Sequence, residues 1–292
     1  MKIATAAYSL DWLDSWAQYE DKLVAWVADA AGRGADLLVF PEYGAMELST
    51  LDGADVAADL QSSISAVSER MEDVAALHQR LAAGFNVYIL GSSAPVRAEF
   101  DLPVNRAEFY SPCGARDHQD KQIMTLFERD PWAIGAGGPL KLFDTALGKI
   151  GVLICYDSEF PLLGRALTEA DILLVPSCTE ALAGYWRVRI GAMSRALEGQ
   201  CVTAQSSIVG TAPWSTSVEV NVGTGGIFGP PDTGFPATGV LAEGQIGQPG
   251  WTLAEVDLKT IAEVRTTGVV RNRSHWPEQD QRIKTSRILM KQ

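Results

Sequence analysis

Six short runs of branched and leucine-rich sequence punctuate the chain, at residues 3–7, 37–40, 87–90, 150–155, 172–175 and 201–206. They have the length of strands but lack the polar alternation of a sheet with one wet face, so they read as buried strands. Patterns of helical period lie between them. Residues 15–33 carry Trp16, Leu23, Val24, Val27 and Ala30 at helical spacing and stop near Gly32 and Gly34. Residues 56–83 read as one long alanine-rich helix closed by Gly84, and 162–170 and 185–199 are further helices. Strand and helix in alternation mean an α/β fold. The stretch 221–244 contains TGGIFGPPDTGFPATG, dense in turn residues; 227–228 and 239–241 within it read as short antiparallel strands. No Pro/Ser-rich linker divides the 292 residues. One domain over 1–292 is expected, with the polar stretch from about residue 270 as a C-terminal tail that packs on something.

Charge and motifs exclude several classes. Twenty-four basic against 36 acidic residues leave a net charge of −12, which repels a phosphate backbone, and no basic patch is evident; no nucleic-acid partner is expected. No run of 18 apolar residues exists, so no membrane span is expected. The opening MKIATAAYSL meets Asp11 and Asp14 with no signal-peptide pattern, which reads as a first strand of a cytoplasmic protein. Cys113, Cys155, Cys178 and Cys201 form no CxxC pair and are expected as free thiols. His78, His118 and His275 fit neither HExxH nor zinc spacing, and His78 reads as an exposed helix residue. GxGxxG, GxxxxGK[ST] and GxSxG are all missing.

What remains is a set of four residues. Cys155 ends the apolar run GVLIC, and a residue at the carboxyl end of a buried strand faces the crevice where α/β proteins bind ligands. Glu42 follows LLVFP, where Pro41 stops the strand. Lys121 lies in DKQIMTLFERD, followed by Glu128. Taken singly, each has a plainer reading: a small buried hydrophobe, a loop carboxylate, surface charges. Together they supply what amide hydrolysis needs without histidine. A thiol needs a base, the developing charge needs a cation, and the leaving amine needs an acid.

At these residues the sequence resembles the nitrilase superfamily of carbon–nitrogen hydrolases. Phe40-Pro41-Glu42, then Asp120-Lys121 with Glu128, then Gly151-Val152-Leu153-Ile154-Cys155-Tyr156-Asp157 with Phe160-Pro161 stand in the family's order. Pro176-Ser177 and Ser194-Arg195-Ala196-Leu197-Glu198 also resemble family landmarks, and the likeness spans roughly residues 1–258. Tyr8 stands where the family commonly has Gln, and Gly199 where it prefers Asn.

The resemblance implies a four-layer α-β-β-α sandwich and a Glu-Lys-Cys hydrolase. Cys155 attacks, Glu42 moves the proton, and Lys121 with the backbone N–H of Tyr156 stabilises the oxyanion. Glu128 orients the substrate nitrogen or holds Lys121. No metal or organic cofactor is needed. It also implies a homodimer or higher oligomer, with the tail from about 270 to 292 a candidate at the interface. Cys155-Tyr156-Asp157 looks like the amidase and carbamoylase branches, whereas true nitrilases resemble Cys-Trp-Glu. Hydrolysis of a small-molecule amide is favoured over an N-carbamoyl substrate. A nitrilase, a soluble acyltransferase and a non-catalytic scaffold are the further alternatives. Candidates for contact with substrate are Trp132, Cys178, Thr179 and Glu180, the last able to select a cationic substrate; Trp186 is expected in helix packing. Replacing Lys121 by alanine is expected to lower kcat far more than stability, as for a crevice residue with little packing.

Overall fold

Alternation along each strand decides the layers in the computed structural model, which describes residues 1–290. In chain order the elements are β1 (Lys2–Ser9), α1 (Trp16–Gly32), β2 (Leu37–Val39), a 3₁₀ turn (Gly44–Asp52), α2 (Ala54–Ala58), α3 (Leu60–Ser68), α4 (Met71–Phe85), β3 (Tyr88–Leu90), β4 (Ala94–Val96), β5 (Val104–Tyr110) and β6 (Arg116–Asp120). They continue as α5 (Leu126–Arg129), β7 (Leu142–Thr145), β8 (Gly148–Val152), a second 3₁₀ turn (Cys155–Glu159), α6 (Pro161–Ala166), β9 (Ile172–Ser177), α7 (Leu182–Gly199), β10 (Val202–Thr211), β11 (Val220–Asn221), β12 (Gly226–Phe228), β13 (Val240–Glu243), β14 (Gly250–Glu255), α8 (Leu258–Thr267) and α9 (Asn272–Gln279).

The strands follow the order β4-β5-β3-β2-β1-β10-β9-β8-β7. The central pairings, from β3 through β2, β1, β10 and β9 to β8, are parallel. The sheet folds over at β1. Its Ile3, Ala4 and Thr5 pair with β2, while Ala7, Tyr8 and Ser9 pair with Ser207, Ile208 and Val209 of β10. Leu37, Val39 and Leu90 of one half therefore meet Ile150, Val152, Ile172 and Leu174 of the other in a shared core between two sheets. The alternate residues Leu38 and Ile89 point the other way, against Leu23 and Val27 of α1 and Val74 and Leu81 of α4. Outside the second half, Leu153 and Leu173 pack with Leu163 of α6, and α7 lies along β9 and β10. The result is the α-β-β-α sandwich. Central runs such as Leu37–Val39 and residues 172–175 are apolar on both faces because both are covered, and a leucine buried there is worth about 2 kcal/mol.

Several elements differ from the sequence reading. The helix over 56–83 is three helices. Asp59 accepts the N–H of Ser62 at 2.7 Å and caps α3. Arg70, between α3 and α4, is held by a two-pronged contact to Asp52. His78 is buried, not exposed: Nδ1 contacts the Val74 carbonyl at 2.8 Å and the ring stacks on Tyr110. Burial pushes its pKa down to about 4, so it packs as a neutral ring. The strand over 150–155 stops at Val152, and Cys155 opens a 3₁₀ turn. In the tail, α9 packs on α7, and Arg165 reaches Trp276 and Asp280. Ile283, Ile288, Leu289 and Met290 are exposed; residues 291–292 of the expected tail lie outside the described residues. No helix among the described residues is long and apolar enough to cross a membrane.

Candidate active site

The site forms where four strand ends meet. After β2, Pro41 offers no N–H to continue the ladder. Tyr43 then takes the left-handed region at φ 55°, its N–H held by Ser93 Oγ at 2.9 Å. The turn leaves Glu42 at the edge of the sheet, 1% exposed. Lys121 follows β6, its N–H given to the Asn105 carbonyl at 2.9 Å. Glu128 lies in the first turn of α5, where it forms a capping box with Thr125. Cys155 follows β8 and also takes a left-handed conformation, φ 49°. For a residue with a Cβ this costs energy, so the local structure must hold it. Ser158 Oγ donates to the Cys155 carbonyl at 2.7 Å, and Asp157 N–H closes on Ile154.

The structure brings Glu42, Lys121, Glu128 and Cys155 into one buried cluster. Lys121 Nζ donates to Glu42 Oε1 at 2.7 Å and to both oxygens of Glu128 at 2.7 Å. Glu42 Oε1 also accepts from Asn105 Nδ2 at 2.9 Å, and Oε2 from the Cys178 N–H at 3.0 Å. Glu128 further accepts Tyr43 Oη–H at 2.7 Å and the Thr125 N–H at 2.8 Å. A carboxylate has about four lone-pair positions. Glu128 has all of them occupied; Glu42 has one free, on Oε2. Cys155 Sγ lies 3.7 Å from the Cys178 carbonyl, so one residue's backbone contacts both Oε2 and the thiol.

The electrostatics separate the two glutamates. Burial pushes the Glu42 carboxyl up, with the charge of Glu128 adding to it, while Lys121 and the Cys155 thiol pull it back. Burial opposes the charge of Glu128 too, but Lys121 and its hydrogen bonds outweigh it and hold the carboxyl below its usual range. For Lys121 burial alone would lower the pKa; the two carboxylates dominate and keep it a cation. Burial and the Glu42 charge raise the Cys155 thiol, so it rests protonated. Asp157, fully buried, accepts the N–H groups of Gln122 and Ile123 and ties the Cys155 turn to the Lys121 segment.

The remaining expected residues are spread around this cluster. Trp132 is 1% exposed and packs on Tyr43 and Phe127, behind the residue that holds Glu128. Cys178 touches Glu42 through its backbone, and its thiol donates to Asn221 Oδ1. Thr179 Oγ1 donates to the Val222 carbonyl, and Glu180 is exposed. Tyr156 is half-buried, edge-on to Phe160, and its N–H lies at the start of the 3₁₀ turn. Trp186 is not packed inside but 44% exposed, with Arg189 over its ring. Lys121 is no open crevice residue but is 1% exposed between two carboxylates, which changes what its loss should do to stability. Sequence reasoning missed Asn105 and the roles of Tyr43 and Asp157. The last two adjoin the Glu and Cys motifs; nothing in the chain marks Asn105. Among the described residues no group of three or more His, Cys, Asp or Glu side chains is placed to hold a metal ion.

This arrangement of thiol, lysine and paired carboxylates at the end of a double sheet defines a class. The sequence profile of carbon-nitrogen hydrolases matches residues 2–266, and the chain belongs to that family. It is 32% identical over 274 residues, 93% of its length, to "Probable hydrolase YhcX" of Bacillus subtilis (strain 168), covering 52% of that protein. The chain spans about half the length of the curated relatives it matches. Among solved structures it is similar to a carbon-nitrogen hydrolase from Helicobacter pylori G27, with TM-score 0.74 and 18% identity over 97% of this chain and 95% of that one. It is also similar to a mutant amidase from Nesterenkonia sp. AN1 carrying a Michael adduct of acrylamide at its active-site cysteine. There the TM-score is 0.68 and the identity 20%, over 91% of this chain and 96% of the other. At such identities these two likenesses bear on the fold.

Proposed function

We propose that the chain hydrolyses the C–N bond of a small-molecule amide to a carboxylate and ammonia, through a thioester on Cys155. The observation that carries this reading is a buried thiol beside a carboxylate with one free lone pair, both next to a lysine fixed between two anions. Cys155 Sγ attacks the amide carbon as Glu42 Oε2 takes the thiol proton. The charge moves to the carbonyl oxygen, where the Tyr156 N–H donates to it and the Lys121 cation, its own three N–H groups held by the glutamates, stabilises it by charge; losing one oxyanion donor costs on the order of 3 kcal/mol. Glu42 returns the proton to the nitrogen, and ammonia leaves with the acyl group on sulfur. Glu42 then takes a proton from water, which attacks the thioester; carboxylate forms and the thiol is restored. Glu128, with no lone pair to spare, fixes Lys121. The burial of all four side chains favours a small acyl group. In this reading Cys178 and Thr179, which follow the β9 strand beside Cys155, border the acyl group, with Trp132 behind Tyr43 and Glu180 exposed to solvent.

The amidase likeness supports the choice of amide, and an acrylamide adduct on that protein's cysteine is chemistry that Cys155 would share. The four cysteines are free, as suits a cytoplasmic enzyme. We read 1–292 as one domain that self-associates, supported by the exposed Trp186 and Ile190 of α7 and Ile283 and Ile288 of the tail; light scattering with and without the tail tests this.

The deciding experiment is ammonia release from a panel of primary amides, N-carbamoyl compounds and nitriles, beside Cys155→Ala. A primary amide is expected to turn over, with the variant folded and inactive. Turnover that survives in Cys155→Ala overturns the mechanism, and turnover confined to N-carbamoyl compounds or nitriles overturns the substrate class.

A further inference from the structure

We propose that Asn105 is a positioning residue that selects Oε2 of Glu42 as the basic oxygen. The inference rests on the reading of Glu42 as the base. It starts from an oddity in the core. Asn105 lies in β5, 0% exposed, and its Oδ1 has no hydrogen-bond partner among the described residues. A buried polar atom without a partner is destabilising. Leucine has nearly the same shape and would fill the position without that penalty. A residue that lowers stability in this way tends to sit at a functional site, and its other end does: Nδ2 donates to Glu42 Oε1 at 2.9 Å. Only the NH₂ end of the amide can face a carboxylate.

The consequence follows from the count of lone pairs. Lys121 Nζ takes one position on Oε1 and Asn105 takes the other, so Oε1 is closed. The Cys178 N–H takes one position on Oε2, and the same residue's carbonyl lies against the thiol. The single open position is on Oε2, next to Cys155. Without Asn105, Oε1 regains a free lone pair, the carboxylate is held by fewer donors, and either oxygen can take the proton. Asn105 also accepts the Lys121 N–H on its carbonyl. One residue of β5 thus sets the side chain of Glu42 and the backbone of Lys121 together. The charged and titratable groups around Glu42 are Lys121, Glu128, Cys155, Cys178, Tyr43 and Asp157. Asn105 adds to them a neutral donor that favours the carboxylate form, so its loss raises the pH at which Glu42 ionises.

The test compares wild type with Asn105→Leu, and with Asn105→Ala as a second variant. The readout is the pH dependence of Cys155 alkylation by acrylamide, with melting temperature alongside. It needs no knowledge of the physiological substrate. The wild-type rate should rise as Glu42 ionises. In both variants this rise should move up by about one pH unit, so that at a pH on the wild-type limb the rate is roughly tenfold lower. Asn105→Leu removes the orphan Oδ1 but also a donor to a buried carboxylate, so the two effects oppose and the variant should stay folded, which the melting temperature checks. An unchanged pH limb in a folded variant overturns the inference and leaves the proposed function standing. A Cys155 thiol that is inert, or indifferent to pH, in the wild type overturns the reading of the base itself.

Discussion

Glu42 and Glu128 share one lysine, yet the loop after β2 and the short helix α5 make different groups of them. Lys121 lies 2.7 Å from each. Glu128 is completed by its own capping box and by Tyr43, and its carboxyl is held low. Glu42 is left one lone pair short and its carboxyl is pushed up. Two carboxylates driven apart in this way can do two jobs, one as a base and one as a fixed anion. Burial as an ion pair does not by itself mark the base. Glu47 is just as buried and meets Lys22 at 2.7 Å, yet its other partners are Tyr8 and the backbone of Asp11, with no nucleophile beside it. What separates Glu42 is the free position facing a thiol.

The largest effect should come from removing what the two glutamates share. Lys121→Met leaves two buried carboxylates without their cation. A loss of about 3–5 kcal/mol of stability is expected, together with loss of turnover. A urea denaturation curve checks it, and a variant as stable as wild type would mean that the carboxylates relax or protonate freely. The sequence alone suggested the opposite balance, with activity lost and stability kept.

Next come the glutamates themselves. Glu42→Gln should lower kcat by a factor on the order of 10³, the upper part of what a positioned base supplies, with little change in melting temperature. Glu128→Gln should be milder, about tenfold, and should shift the acid limb of kcat/KM to lower pH, because the charge that raises Glu42 is gone. Equal losses in the two variants, with no shift of the limb, would erase the distinction between them.

The smallest effect concerns Asp157. Burial pushes its carboxyl up to about 7 in the folded chain, against an ordinary 3.8. A raised folded pKa gives stability that is present at acid pH and is lost as pH rises through the folded value. Wild type should therefore lose stability, relative to Asp157→Asn, between about pH 4 and pH 7. Parallel stability curves for the two proteins would show that the N–H groups of Gln122 and Ile123 keep Asp157 ionised throughout.

How much of this could be read from the chain depended on what covers each segment. The parallel strands at the centre are legible because both faces are buried, which leaves runs such as Leu37-Leu38-Val39 wholly apolar. β6 is Arg-Asp-His-Gln-Asp, an edge strand paired to β5, and nothing in its composition suggests a strand. β7 and β14 are only partly covered and are equally silent. His78 looks like a surface residue because the wall that buries it, Tyr110 on β5, is far away in sequence. The same holds within the site. Glu42, Lys121 and Cys155 sit in recognisable strings, whereas Asn105 lies between Val104 and Arg106 with no local pattern; the pairing of β5 with β3, beside β2, brings it towards Glu42, and its pairing with β6 brings it to Lys121.

The left-handed backbone at Cys155 has an evolutionary consequence. Glycine would adopt that conformation without the strain, which is on the order of 1 kcal/mol, and the exchange gives up only one small buried side chain. Neutral drift in a lineage that no longer needs the sulfur should therefore carry position 155 towards glycine, or towards asparagine, which tolerates the same region. A descendant that has abandoned the reaction while keeping the sandwich would announce it first at this one position.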